Sequence, residues 1–256
     1  MIASEDWVWY NSLCFIKENF AMKNMNNSPA MSGLRLKLNT FWRNHRHALL
    51  FLYALIYMPW FAFLESHVTR RFHIVHMVMD DYIPFVEYFI VPYLFWFVYV
   101  SAAFVFFFFY DKEDFKKMCL FLFTGMTIFL IISTIYPNGT YIRPIVFPRD
   151  NVFTDLVKMV YAADTPTNLF PSIHVYNSIG THLAIKNSNA FKDKRYVVFS
   201  SQIVSILIIL STMFVKQHSL FDVLTGIGLG FFMWLLVYAP DHVTVPHTSH
   251  ASLRKM

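Results

Sequence analysis

Six stretches of this 256-residue chain are long and apolar enough to enter a bilayer, and this constrains the fold more than any other feature. A helix needs about 20 apolar residues to cross the roughly 30 Å hydrocarbon core. The stretches lie near 48–65, 85–110, 118–137, 170–185, 197–215 and 219–239. The second is the most apolar and ends in the run Phe106–Phe109, with Pro84 marking its start and Pro92 an expected kink. The fourth is short and opens with Pro171, a residue suited to a first helical turn. In the sixth, Gly226, Gly228 and Gly230 permit close approach to a neighbouring helix. The expected fold class is therefore all-α integral membrane: a six-transmembrane-helix bundle over 48–239, between an interfacial N-terminal segment (1–47) and a tail (240–256).

Composition closes off the alternatives. Only 14% of residues are charged and 56% are hydrophobic, too few polar side chains to cover a soluble surface and too much apolar area for a disordered chain. Two cysteines exclude a disulfide scaffold or a cysteine-based zinc cluster. Nucleic-acid binding is not expected, because the basic residues sit in short loops rather than along one stripe. The N-terminal segment lacks the form of a signal peptide: Glu5 and Asp6 occupy the basic region, and Lys17 and Lys23 interrupt any apolar core. Trp7, Trp9, Tyr10, Phe15 and Phe20 suit a segment lying in the membrane interface, with a partly disordered tail as the alternative.

Lys and Arg divide unevenly between the two sides of such a bundle. Of the 21, 15 fall on the side of the termini and the 111–117 and 186–195 loops. The other side holds Arg70, Arg71, Arg143, Arg149, Lys158 and Lys216. Positive charge accumulates in the cytoplasm, so both termini are expected inside, in what reads as a bacterial inner-membrane protein.

The outward-facing side then carries a chemically distinctive set. The long connection from Pro137 to Phe170 contains Arg143-Pro144 and ends just before Pro171-Ser172-Ile173-His174. The next outward turn contains Ser211-Thr212, Lys216, His218 and Asp222. Ionisable groups at membrane depth usually face a wet cavity or the bundle interior. Arg143 and Lys216 supply the positive field that a phosphate requires. Ser172, at a helix start, adds a hydroxyl beside free backbone N–H groups. His218 and Asp222 are four apart and share one helix face if the helix begins by His218. The carboxylate can then fix the imidazole tautomer and leave the other nitrogen as a nucleophile, while His174 protonates a departing alkoxide. This inventory fits phosphoryl transfer through a phosphohistidine without a metal or other cofactor. Taken singly, a histidine with Asp at i+4 is more often a structural contact, and Pro-Ser before a helix is more often a cap.

These three motifs resemble those of the type 2 phosphatidic acid phosphatase superfamily: Lys-x6-Arg-Pro, Pro-Ser-Gly-His and Ser-Arg-x5-His-x3-Asp, in that order on a six-span bundle. The resemblance covers about 118–239 and implies His218 as nucleophile, Asp222 as its partner, His174 as acid, and Arg143 and Ser172 on the phosphate. The chain departs from the pattern at three positions: Tyr136 replaces the lysine, Thr212 the arginine and Ile173 the glycine. Lys216 is the expected substitute cation, with Arg149 and Lys158 as weaker candidates. Pro-Ser-Ile-His-Val looks like the inositol-phosphorylceramide synthase-like branch, which mixes hydrolases with lipid phosphotransferases.

The expected substrate is a lipid phosphate or pyrophosphate hydrolysed at the outer face. The alternatives are transfer of a phosphate or phospho-headgroup to a lipid alcohol, and an inactive protein that merely holds an anionic lipid. Asp80, Asp81, Tyr82 and Glu87 are expected to pair with the clamp cations, select a headgroup or form a solvated loop, and Glu65 to cap or line the entrance. His182 reads as a packed helix residue, and His242, His247 and His250 match no metal site.

Overall fold

A computed structural model of the protein describes residues 40, 46–68 and 71–242. Most of the expected interfacial segment and most of the expected tail, with Cys14, His247 and His250, lie outside the described residues. The chain divides into a unit of residues 1–49 and a second of residues 50–256, and the second carries the Arg-Pro, Pro-Ser-Ile-His and His–Asp motifs.

Helices form where the apolar stretches predict them, with ends set by capping. The main helices are α1 (Ala54–His67), α2 (Val78–Tyr82), α3 (Ile90–Tyr110), α4 (Lys112–Ile135), α5 (Val152–Ala163), α6 (Ile173–Asn187), α7 (Arg195–Phe214) and α8 (Leu220–Val237). Among the described residues, five helical stretches are long and apolar enough to cross a membrane: Arg46–His67, Glu87–Tyr110, Lys112–Ile135, Arg195–Phe214 and Leu220–Val237. The fourth expected span becomes α6, whose 15 residues extend only about 22 Å. Its low apolarity has a structural cause. The helix packs against α3, α4, α7 and α8, so Asn177, Ser178 and Thr181 are buried in protein rather than exposed to lipid.

Four details differ from expectation. The charged loop at 111–117 is a single residue: Asp111 caps α4 by accepting from the backbone N–H groups of Glu113 and Asp114, and the lysines that follow are helical. The long connection after Pro137 is not structureless, because Asn151 caps the amphipathic helix α5. The all-α reading also gains a small exception, a parallel two-residue pair of β1 (His73–Ile74) with β2 (Asn138–Gly139). Pro92 lies in the first turn of α3, where its missing N–H has no intrahelical partner to lose.

The core lies where α6 meets α4. Tyr176 packs on Phe121 and donates its hydroxyl to the Phe121 carbonyl, and its ring occupies the space a Cβ at Gly125 would need. Large apolar side chains such as Phe97, Val105, Phe109, Phe231 and Leu236 stay exposed around the bundle, as lipid-facing positions require. Of the three glycines in α8, Gly226 and Gly230 approach α6, whereas Gly228 faces open space. His182 shares Ser201 with Tyr99 in helix packing, as expected.

Candidate active site

The motif residues meet where α6 and α8 begin. Ser172 and Ser219 are the N-caps of these helices, and both are fully buried. The Ser172 N–H donates to the Asp222 carbonyl at 3.1 Å, joining the two first turns. The missing side chain of Gly226 permits this contact, since a Cβ there would lie 2.9 Å from the Ser172 carbonyl oxygen. The Ser172 hydroxyl accepts from the Val175 N–H at 3.4 Å, so it serves as a cap.

His218 Nδ1 lies 3.5 Å from Asp222 Oδ2, and both side chains are buried. The same carboxylate oxygen accepts from the Ser219 N–H at 3.0 Å, which completes a capping box and aims the carboxylate at the imidazole. The His174 ring lies 5.7 Å from that of His218, centroid to centroid, and is flanked by Tyr93 at 4.8 Å and Trp96 at 4.5 Å. His174 Nδ1, His218 Nδ1 and Asp222 Oδ1 are buried without a hydrogen-bond partner. Two imidazoles facing one another beside an orienting carboxylate can attack and protonate opposite sides of one phosphoryl group.

The cations are distributed less simply. Arg143 lies over the Tyr161 ring and donates through Nη1 to the carbonyls of Tyr161 and Asp164. Its Nη2 donates to the Thr165 carbonyl and, at 2.6 Å, to Gln217 Oε1. The fork expected to grip phosphate is thus engaged by protein, and Nε is the donor left buried and unpartnered. Lys216, held at a left-handed φ of 54°, donates its amine to the Asp80 carbonyl at 2.7 Å. Lys216 lines a cavity of about 360 Å³ with His76, Asp81 and Tyr141. Burial lowers its pKa, against the opposing pull of Asp80 and Asp81. The two weaker candidates are also engaged. Arg149 makes a two-pronged ion pair with the fully buried Glu87, and Lys158 pairs with Asp150 and Asp155. Among the described residues, no group of three or more His, Cys, Asp or Glu is placed to hold a metal.

At the two substituted cation positions, Tyr136 stacks on His73 at 4.1 Å, and the Thr212 carbonyl accepts from the N–H groups of Gln217 and His218. Thr212 therefore shapes the turn that presents the nucleophile candidate.

Several residues that build the site carried no motif. Asn138 Oδ1 accepts from the N–H groups of Leu169 and Phe170 at 2.8 and 2.9 Å, anchoring the approach to Ser172. Asp80 accepts from the Ser219 hydroxyl and the Leu220 N–H, bracing the start of α8. Glu65 ties α1 to the entrance loop through Thr165 and Asn168. Asp164 carries a carboxyl that burial and Glu65 push up to about 6, against the pull of Arg143 and His218. Their only sequence signal was polarity near a span end, which does not name a partner.

The apolar helices mark a membrane protein, and one end of the bundle carries a buried His–Asp pair, a facing histidine and an arginine. Residues 143–242 match the family model described as the PAP2 superfamily. The chain is also 31% identical, over 147 residues, to a lipid A 4'-phosphatase of Porphyromonas gingivalis, a match covering 55% of this chain and 59% of that protein's length. No solved structure matches the chain significantly. Residues 143–242 are thus similar to the PAP2 superfamily, and the matched part of the chain spans 59% of the length of this relative.

Proposed function

We propose that the protein is a membrane-embedded, metal-independent phosphatase that hydrolyses a lipid phosphate or pyrophosphate through a phosphohistidine. The observation that carries this reading is the placement of His174 and His218, with rings 5.7 Å apart, beside the buried Asp222. Asp222 holds the proton on His218 Nδ1 and leaves the Nε2 lone pair to attack phosphorus. As the new P–N bond forms, the P–O bond to the lipid breaks and His174 gives the departing oxygen a proton. Water then attacks phosphorus, the P–N bond breaks, and His174 takes a proton from the water. Arg143 and the amide-rich start of α6 at Ser172 stabilise the charge on the phosphoryl oxygens. Lys216 acts through Asp80, fixing the turn rather than gripping substrate.

The bundle is read as six spans over 48–239, with α6 as the short inner one, following an N-terminal segment (1–47) and preceding a cytoplasmic tail (240–256). The excess of Lys and Arg on the side of the termini supports a cytoplasmic location for both ends and an outward-facing site. A bacterial relative supports a bacterial inner membrane, and its name makes a phosphorylated glycolipid the first substrate to assay.

Purified His218→Ala should lose at least about 1,000-fold in phosphate release from a lipid phosphate while keeping its elution profile in detergent. Wild-type turnover by that variant would overturn the assignment.

A further inference from the structure

The unusual group in the site is the side chain of Gln217. It is 1% exposed, its Oε1 accepts from Arg143 Nη2 at 2.6 Å, and its Nε2 is buried with no acceptor. The first contact fixes the orientation of the amide. A guanidinium only donates, so the oxygen faces Arg143 and the NH2 group points elsewhere. A buried NH2 without an acceptor is costly, and native structures rarely leave one unless a ligand completes it.

What is missing is an acceptor, and a neighbouring group lacks the same thing. Arg143 Nε is also buried and unpartnered. Nε2 and Nε each lie two covalent bonds from the shared Arg143–Gln217 contact, and each lacks an acceptor. Arg143 cannot supply a bidentate grip itself, because both its Nη atoms are engaged by the carbonyls of Tyr161, Asp164 and Thr165 and by Gln217. His218, the next residue, brings the reacting centre alongside.

We infer that Gln217 is a phosphate-binding residue: its Nε2 donates to a non-bridging phosphoryl oxygen, and with Arg143 Nε it forms a composite clamp of one cation and one neutral amide. This rests on the phosphatase reading above and identifies what replaces the cations absent at Tyr136 and Thr212.

Gln217→Glu separates this role from a structural one. The carboxylate keeps an oxygen for Arg143, so a residue that only positions the guanidinium would tolerate the change. It replaces the NH2 donors with an anion, so a residue that binds phosphate would not. The expected result is a loss of about 100-fold or more in kcat/KM on lipid phosphate, with inhibition by orthovanadate weakened in parallel and the detergent elution profile unchanged. Activity and vanadate inhibition within about threefold of wild type would overturn the proposal. If Gln217→Glu does not fold, Gln217→Ala takes the same assays: a tenfold or greater weakening of vanadate inhibition supports the role, and unchanged inhibition removes it. His218→Ala is run alongside. An active His218→Ala defeats the phosphatase reading itself, whereas an inactive one beside a fully active Gln217→Glu defeats only the assignment of Gln217.

Discussion

The backbone N–H of Ser172 donates to the carbonyl of Asp222 across 3.1 Å, tying the first turn of α6 to the first turn of α8. One main-chain bond thus sets the spacing between the helix that carries His174 and the helix that orients His218. Because neither side chain makes this contact, its integrity depends on backbone packing around it.

Gly226 provides that packing, and its substitution should damage chemistry more than stability. A Cβ there would lie 2.9 Å from the Ser172 carbonyl oxygen, a backbone atom that cannot rotate aside. Gly226→Ala is expected to lower kcat/KM by about 10–100-fold as the two histidines separate. Gly228→Ala, whose new methyl meets open space, should keep full activity and gain up to about 1 kcal/mol from helix propensity. Equal kinetics for the two variants would show that the Ser172–Asp222 spacing is not limiting.

Asn138→Leu removes the acceptor of two N–H groups just before Pro171 and leaves them without a replacement. Each unsatisfied buried donor costs about 1–3 kcal/mol, so thermal unfolding in detergent should fall by several degrees. Asn138→Asp keeps the acceptor oxygen but loses the Nδ2 donation to the Tyr136 carbonyl and buries a charge, so it should recover only part of that loss.

Lys216→Asn isolates the amine, since asparagine tolerates the left-handed backbone found there. With its ammonium on the Asp80 carbonyl, Lys216 is expected to matter for stability and little for phosphate affinity. Arg143→Ala should instead lower kcat/KM by about 100-fold or more. A vanadate affinity that fell equally in both variants would restore Lys216 to the clamp.

Asp164 sets a pH dependence. Its carboxyl titrates near 6, above its ordinary 3.8, so the folded protein favours the neutral form. That contribution to stability is fully present below about 3.8 and is lost as pH rises through about 6. Above that pH an anion beside Arg143 and His218 also repels phosphate, so apparent substrate affinity should fall across the same window. Asp164→Asn is expected to flatten the KM–pH profile and to raise thermal stability relative to wild type above pH 6. A profile identical to wild type would mean that Asp164 does not face the bound anion.

Much of the architecture was legible along the chain. Hydropathy located all the long helices, and the three motifs placed His174, His218, Asp222, Arg143 and Ser172 together. Capping was less visible. The 111–117 segment reads as a charged loop because its residues are polar, yet Asp111 turns them into helix by satisfying two N–H groups. The 170–185 segment reads as one more, shorter span, because length and apolarity cannot reveal that four neighbours surround it.

Membrane class, the positions of the long apolar helices and the candidate site groups were legible in the sequence itself, because lipid solvation and side-chain chemistry are properties of residues and short runs. Which protein group each candidate cation engages was decided only by the tertiary structure. Arg143 meets Gln217 across 74 positions, Arg149 meets Glu87 across 62, and Lys216 meets Asp80 across 136. A buried charge is neutralised by whatever packing brings within about 3 Å, and that distance is set by how helices cross rather than by any spacing along the chain.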